Sequence, residues 1–277
     1  MKHLAFVALN FAIFGTHLFG QSTEALILPD VVDGGGWQST IVLTNSTAVP
    51  APATLIFHSD TQGGGTQPWT PPFLEVSSTS GMTLTGGSSL YVHTRGTAAA
   101  LSQGWAELNA SAGIMAYVIF TNRVAGRQDQ DATAQAVTAS NRSLVPYDDA
   151  SGFATAIAVV NPTSSPLTIS VGFRTTIGGV SLGTLPPVPP QGHMTFALAQ
   201  QFPVIAGHEG LAEFYSASGN FTMIALRFNP TNSSTAAPVF LQTGSPLIAT
   251  PPVVGPAPVD PPPYDPYGYY AIKSTDR

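Results

Sequence analysis

The stretch GWQSTIVLTN, residues 36–45, decides the fold, because the chain repeats its pattern as GFATAIAVVN at residues 152–161. The displacement is 116 residues, 152 minus 36, and it also carries Thr47 onto Thr163 without a gap. Further along, Met115 to Phe120 matches Met223 to Phe228 in residue type. Repeated matches of this kind predict a duplicated module.

Side chains alternate between the two faces of a β-strand, so Trp37, Ser39, Ile41 and Leu43 are predicted to share the core-facing side of the repeated strand. Asn45 and the Ser-Thr and proline that follow it are typical of a turn. Short strands of this kind recur along the chain, separated by glycine- and proline-rich turns. The pattern predicts an all-β fold of two tandem antiparallel β-sandwiches of the immunoglobulin-like kind.

Composition divides the chain into five predicted segments. These are a signal peptide (1–20), a first β-sandwich (21–126), a polar linker (127–142), a second β-sandwich (143–244) and a Pro/Tyr-rich tail (245–277). Residues 1–20 carry Lys2, a short apolar run and a small residue at Gly20, as secretory signals do. The tail has nine prolines between residues 246 and 266, which predict an extended or disordered spacer or contact segment.

The bulk composition limits the function classes. Charged residues make up only 9% of the chain, the formal net charge is -6 and cysteine is absent. The charge leaves no basic footprint for nucleic acid, and the lack of cysteine excludes disulfides, thiolate metal sites and a cysteine nucleophile. We therefore expect an exported β-protein without a cofactor, and no transmembrane segment once the signal peptide is removed.

Several local patterns resemble a known group of proteins. These are the Gly-Phe pair at 152, the Asn-Pro-Thr triplet at 161 and the Arg-Phe-Asn-Pro run at 227. Together with Gly-x-Ala-Glu, they resemble uncharacterised secreted bacterial proteins with tandem immunoglobulin-like β-sandwich repeats, over most of residues 25–241. The resemblance implies the fold and export, and no role for any residue follows from it.

Acidic residues precede the repeated strand in both modules and are candidates for a calcium site. Asp30 and Asp33 stand before the first copy, and Asp148 and Asp149 before the second. Clustered oxygen ligands on a loop can hold Ca²⁺. The favoured interpretation is that these carboxylates accept backbone N–H bonds within turns.

Other candidates for catalysis or metal binding lack a supporting pattern. The histidines after the signal segment, at 58, 93, 193 and 208, have no metal-ligand spacing and are predicted to be exposed on strands and loops. Glu107 and Glu213 fall one in each module, so we expect them at solvent faces or sheet rims and not as a glycosidase pair. No serine lies in a nucleophile-elbow context.

The tryptophans are the remaining candidates for ligand contact, because aromatic faces stack on sugar rings. Trp37 and Trp105 align with Phe153 and Leu211, which favours core packing. Trp69 lies in a proline-rich stretch that has no counterpart in the second module. It is predicted to be exposed and is a candidate for ligand binding.

The sequence favours a non-enzymatic secreted or cell-surface protein that serves adhesion, structure or extracellular binding, with a cell-surface or extracellular polymer as partner. The alternative is a secreted carbohydrate-active accessory or hydrolase that contacts its ligand through the Trp69 loop.

Overall fold

The computed structural model describes residues 25–61, 65–124, 126, 128–231 and 233–247. The signal peptide predicted at residues 1–20 and the tail beyond residue 247 lie outside this described part. The chain divides into two compact units, residues 1–139 and 140–277. Both described portions are built almost entirely of antiparallel strands, which confirms the predicted all-β class.

The described part of unit 1 contains nine strands in one continuous sheet. The strands are β1 (Leu26–Gly34), β2 (Trp37–Asn45), β3 (Ala51–Asp60), β4 (Thr66–Trp69), β5 (Met82–Leu84), β6 (Ser89–His93), β7 (Ser102–Ala110), β8 (Ile114–Asn122) and β9 (Gln130–Gln135). The order is β4-β3-β7-β1-β2-β8-β9, with β5 added to β3 and β6 added to β2. The join between β1 and β2 is short, with Asp33 opposite Gln38 and Gly34 opposite Trp37.

The strands of unit 2 are also antiparallel, but they form two separate sheets. Its strands are β10 (Arg142–Asp148), β11 (Ala154–Val160), β12 (Ser170–Thr175), β13 (Val180–Thr184), β14 (His193–Ala197), β15 (Glu209–Tyr215), β16 (Thr222–Phe228), β17 (Ser234–Ala237) and β18 (Phe240–Gln242). A helical turn, α1 (Leu198–Gln201), and a 3₁₀ turn at Pro203–Ile205 follow β14. The first sheet has the order β13-β12-β15-β10-β18, and the second has the order β14-β11-β16-β17.

The core of unit 2 lies between its two sheets. Phe173 and Phe214 come from the first sheet and Ile157 and Met223 from the second, and all four belong to one buried cluster. Burying a side chain of this size stabilises the fold by about 1.5–3 kcal/mol. In an immunoglobulin domain the first strand joins the sheet of the second strand. Here β10 pairs with β15 instead, so the likeness to that fold lies in the two-sheet antiparallel class and not in the strand order.

The repeated strand ends in the same way in both units. The side-chain nitrogen of Asn45 donates to the carbonyls of Val49 and Leu84, and its oxygen accepts from the backbone and hydroxyl of Thr47. Asn161 repeats this arrangement with Ser165, Val188 and Thr163. Both asparagines are fully buried. Because each amide bonds to carbonyls of its own turn and of a neighbouring segment, the strand ends with its buried polar groups paired.

Two glycines allow neighbouring strands to approach closely. A Cβ added at Gly104 would collide with the carbonyl oxygen of His58, and one at Gly210 would collide with that of Arg174. The close approach is between backbones, so a side chain at either position would push the strands apart.

Strand β9 falls within the stretch predicted as the linker, 127–142. It pairs with β8 from Gln130 to Gln135, and its alanines at 132 and 134 are buried. The sequence of this stretch shows no alternation of large apolar and polar residues, because its inward-facing residues are small alanines and its outward-facing residues are polar. Strand β10 likewise begins inside the predicted linker, at Arg142.

The boundary predicted between the second sandwich and the tail is also displaced. The backbone N–H of Leu247 donates to Oε1 of Glu213, 2.9 Å away, so the chain still contacts unit 2 beyond residue 244. Among the described residues, no helix has the length and apolar character needed to cross a membrane.

Candidate functional site

A candidate site on unit 2 is an open groove, which we call the arginine groove. It encloses about 640 Å³ and is lined by Pro146, Tyr147, Asp148, Arg174, Thr175, Thr176, Glu209, Gly210, Leu211, Arg227 and residues 235–238. This volume falls within the range of small-molecule and cofactor sites. Strands β10, β12 and β15 form one wall, and β16 and β17 of the other sheet contribute the rest.

The first wall carries an exposed arginine beside an apolar strip. Leu211 lies opposite Pro146 on one side and opposite Arg174 on the other, so these three side chains form a row across β10, β15 and β12. Arg174 is exposed, and among the described residues no carboxylate forms an ion pair with it. The row therefore presents a guanidinium with its donors available at the end of an apolar surface.

A second arginine in the groove is held rigidly. Nε and Nη2 of Arg227 lie 2.8 and 2.6 Å from Oδ2 of Asp148, and the guanidinium carbon lies 3.7 Å from the centre of the Phe153 ring. Charge-assisted bonds and an aromatic face together fix the guanidinium plane. Asp148 also lies directly opposite Glu209 in the ladder, where two like charges repel, and Arg227 offsets this repulsion.

Beside the groove, Asp149 occupies an unfavourable environment for a charge. Burial raises the pKa of its carboxyl from 3.8 to about 6, against the lowering effect of the bond from the Thr155 backbone, and the nearby charge of Asp148 raises the pKa further. Its Oδ2 is buried without a hydrogen-bond partner among the described residues. The hydroxyl of Tyr147 is likewise buried without a hydrogen-bond partner among the described residues. Burial and the nearby charge of Asp149 raise the pKa of this phenol.

The four acidic calcium candidates mostly bond to nearby protein groups. Oδ1 of Asp33 accepts the N–H of Gly96 at 2.7 Å, and Oδ1 of Asp148 accepts that of Ala150 at 3.2 Å. Asp30 accepts from the side-chain amide of Gln103. In the described part of the chain no three His, Cys, Asp or Glu side chains cluster closely enough to hold a metal ion. Calcium binding at Asp30, Asp33, Asp148 and Asp149 stays a prediction.

The prediction that the two glutamates lie at solvent faces or rims is wrong for Glu213, of which only 1% is exposed. Its Oε1 lies 2.5 Å from Nε of Arg142, forming a buried ion pair. Glu107 is half-buried, with Oε1 3.4 Å from Nε2 of His58. Each glutamate lies on the outer side of its sheet but is covered there by a cationic side chain or an imidazole.

The prediction that the histidines are exposed is also wrong. His58 is half-buried and stacks on Trp105, with ring centroids 4.2 Å apart and planes 10° from parallel. His193 is buried in β14. Nδ1 of His93 lies 2.6 Å from Oε1 of Glu75.

The three tryptophans have different environments. Trp105 is fully buried, as predicted. Trp37 and its aligned partner Phe153 are only half-buried, so their assignment to the core was wrong; Trp37 begins β2, and Phe153 immediately precedes β11. Trp69 is half-buried, not exposed, because it ends edge strand β4 and packs edge-on against Phe57 with centroids 6.3 Å apart.

Sequence reasoning missed Arg174 and Arg227 as site residues. Lysine and arginine together number nine in 277 residues, so an arginine within a strand was a usable signal. What the sequence did not show is that β12 and β16, in different sheets, contribute to one groove. A scan against protein-family models finds no match for this chain, and a search of curated proteins finds none either.

Proposed function

We propose that this chain is a non-enzymatic, exported binding protein whose arginine groove holds an extracellular polysaccharide that carries carboxylate groups. Residues 1–20 support export, since their pattern is that of a secretory signal. The matched asparagine turns support the descent of both units from one duplicated module. Adhesion to a cell-surface or matrix polymer is the role that fits such a protein.

The observation that carries the proposal is the exposed Arg174, which forms no ion pair with the described residues, in the same groove as an immobilised Arg227. A guanidinium offers a planar fork of donors that matches a carboxylate in two parallel bonds. Because Arg227 is already fixed by Asp148 and Phe153, little side-chain entropy is lost when it contacts a ligand.

The rest of the groove fits a sugar acid better than a simple anion. Thr175, Thr176 and Glu209 offer hydroxyl and carboxylate groups to sugar hydroxyls, while Pro146 and Leu211 offer apolar surface to the C–H face of a ring. The groove is open to solvent, which allows a polymer chain to approach it.

The test is a titration calorimetry measurement with polygalacturonate oligomers, and with neutral dextran oligomers as a comparison. We expect binding of the acidic oligomers only. Arg174→Ala should weaken it by roughly tenfold, the loss expected of a charged hydrogen bond of about 1.5 kcal/mol. Arg95→Ala is the matched control, because Arg95 is an exposed arginine on unit 1 and its loss changes the net charge equally.

Equal weakening by the two substitutions would show that only net charge matters and would reject the groove as the site. Binding of neutral and acidic oligomers with the same affinity would reject the carboxylate as the recognised group. The alternative function, a carbohydrate-active accessory or hydrolase using Trp69, is tested in the same experiment with Trp69→Ala. If that variant alone loses binding, the ligand contacts lie at β4 and not in the arginine groove.

A further inference from the structure

Strand β13 ends the first sheet of unit 2 with an open edge. It pairs with β12 on one side and, within the described part of the chain, with no strand on the other. Its sequence, VSLGT, contains no proline, and no charged residue stands between Arg174 and His193. An edge of this kind is a template for pairing with another strand, because neither a charge nor a proline prevents it.

Two hydrogen bonds show which backbone groups of β13 point towards β12. The N–H of Thr175 donates to the carbonyl of Gly179, and the N–H of Leu185 donates to the carbonyl of Ile169, both at 2.9 Å. In an antiparallel ladder every second residue bonds to the neighbouring strand, and the residues between direct their groups the other way. The odd-numbered residues of β13 therefore bond to β12.

The even-numbered residues of β13 direct their backbone groups to the open edge. These residues are Val180, Leu182 and Thr184, and each carries one donor and one acceptor. Within the described residues, no backbone hydrogen bond joins them to a group outside the β12 ladder. Leu182 is also 59% exposed, so an apolar side chain stands beside the unpaired groups.

Strand β4 occupies the matching edge of unit 1, where it pairs with β3 as β13 pairs with β12. The N–H of Thr61 donates to the carbonyl of Gly65 at 2.8 Å, which fixes the same alternation and turns Pro68 towards the open edge. Proline has no N–H, and sheets use it at their edges to prevent pairing. Unit 1 therefore blocks this edge, whereas unit 2 leaves it open.

We propose that β13 pairs with β13 of a second copy of this chain, antiparallel and centred on Leu182. A twofold axis at that residue places Leu182 opposite Leu182 of the second copy, and Val180 opposite Thr184 of the second copy. Each of these rungs exchanges two hydrogen bonds, so every outward backbone group of both strands is paired.

The occupant of the edge is a second copy because the outward groups are symmetric about Leu182. An isologous twofold contact needs such self-complementarity. It also brings each side chain near the axis against its own copy, and β13 has no charge that would be repelled in this way.

The pairing has a consequence for ligand binding, and this step rests on the proposed function. Arg174 lies opposite Val180 and shares its face of the sheet. The twofold axis of an antiparallel pair stands perpendicular to the sheet, so both copies of Arg174 lie on one surface. Three strand spacings and an offset of four residues separate their backbones by about 20 Å. One acidic polymer could then contact two arginine grooves and gain avidity.

Sedimentation velocity of the full chain over a concentration series tests the pairing, and we expect a monomer–dimer equilibrium. Leu182→Lys places two like charges opposite each other at the axis, so it should raise the dissociation constant of the dimer about tenfold or more. Leu182→Asp should do the same, and an equal mixture of the two variants should restore the dimer. Leu74→Lys is the matched control, because Leu74 is a leucine of unit 1 that is 58% exposed.

A backbone substitution and hydrogen exchange complete the test. Leu182→Pro removes the central donor of the open edge without removing a bond to β12, and it should also abolish the dimer. The amides of Val180, Leu182 and Thr184 should exchange more slowly as the protein concentration rises. A chain that is monomeric at every concentration, a dimer that survives both Leu182→Lys and Leu182→Pro, or a mixture that does not re-form it would overturn the proposal. Protection independent of concentration would overturn it as well, since it would arise within one chain.

The dimer and the arginine groove fail separately. Arg174→Ala should leave the dimer intact and weaken the binding of polygalacturonate. Leu182→Pro should weaken the binding of long polygalacturonate and leave that of short oligomers unchanged. A dimer without affinity for the acidic polymer would confirm the pairing of β13 and reject the groove.

Discussion

Asp149 shows how one buried carboxyl makes the stability of unit 2 depend on pH. Its folded-state pKa is about 6, raised by burial and by Asp148 from an ordinary value of 3.8. A carboxyl with a raised pKa binds its proton more tightly in the folded state than in the unfolded state. Stability is therefore greatest below about pH 4 with respect to this group and falls as the pH rises from 4 through 6.

Asp149→Asn should remove this pH dependence. At pH 7.5 we expect the variant to be more stable by about 1–2 kcal/mol, less than the full value of a two-unit shift because the group is only partly buried. At pH 4 the difference should vanish. Urea unfolding at the two pH values measures it, and Asp129→Asn, at an exposed position, should change stability by less than about 0.5 kcal/mol at either pH. A variant less stable than the natural chain at pH 7.5 would contradict the expected sign.

Single-residue environments were the part of the site least accessible from sequence. Asn45 was predicted to end its strand, and it does. Glu213 and His193 were predicted at the surface, because residue type alone favours that location. Their burial depends on partners far along the chain: Glu213 pairs with Arg142, 71 residues earlier. Such a pairing follows from the strand order, which composition and spacing do not specify.

At the scale of a strand, the sequence predicted the elements well but one register incorrectly. Aligning Met115 with Met223 gives a displacement of 108 residues, 223 minus 115. In the ladders, Ile41 lies opposite Val118 and Ile157 lies opposite Ala225, which gives 107, 225 minus 118. A slip of one residue exchanges the two faces of a strand. Accordingly Met115 is 54% exposed, whereas Met223 is 1% exposed and belongs to the core.

These two methionines provide a matched pair for a stability measurement. Met223→Ala should lower the free energy of unfolding by about 2–4 kcal/mol, since it leaves a cavity among packed side chains. Met115→Ala should change it by less than about 0.5 kcal/mol. Chemical denaturation of each variant gives the values. Similar losses at both positions would mean that the two strands share the register suggested by the sequence match.

The elements that sequence analysis did not predict are mostly short edge strands. Strands β4, β9, β17 and β18 each lie at the edge of a sheet. Edge strands bury little and are commonly polar, so they lack the alternation that identified β2 and β11. The polar residues of β9 therefore resembled a linker.

For the whole molecule, the division into two units predicts that the second can fold alone. Residues 140–247 include the bridge between Ser140 and Phe221 and the hydrogen bond from Leu247 to Glu213. The predicted second sandwich, residues 143–244, would lack both contacts. We expect this fragment to unfold in one cooperative transition with a melting temperature within about 5 °C of the corresponding transition in the full chain. Calorimetry of the fragment tests this; a broad transition without an enthalpy peak would show that unit 2 needs more of the chain.

The pairing of β10 with β18 has a consequence for how unit 2 bears tension. Arg142, where β10 begins, lies opposite Gln242, where β18 ends, so the chain enters and leaves this ladder at the same rung. A force that separates the two ends acts across the strands, not along them, and it reaches the rungs one after another from Arg142 to Leu144. Strands loaded in this way peel, because each hydrogen-bonded rung carries the whole load in turn. Tension would therefore first release Leu247 from Glu213 and then peel β18 away, while the core ladders of β11 and β16 stay paired.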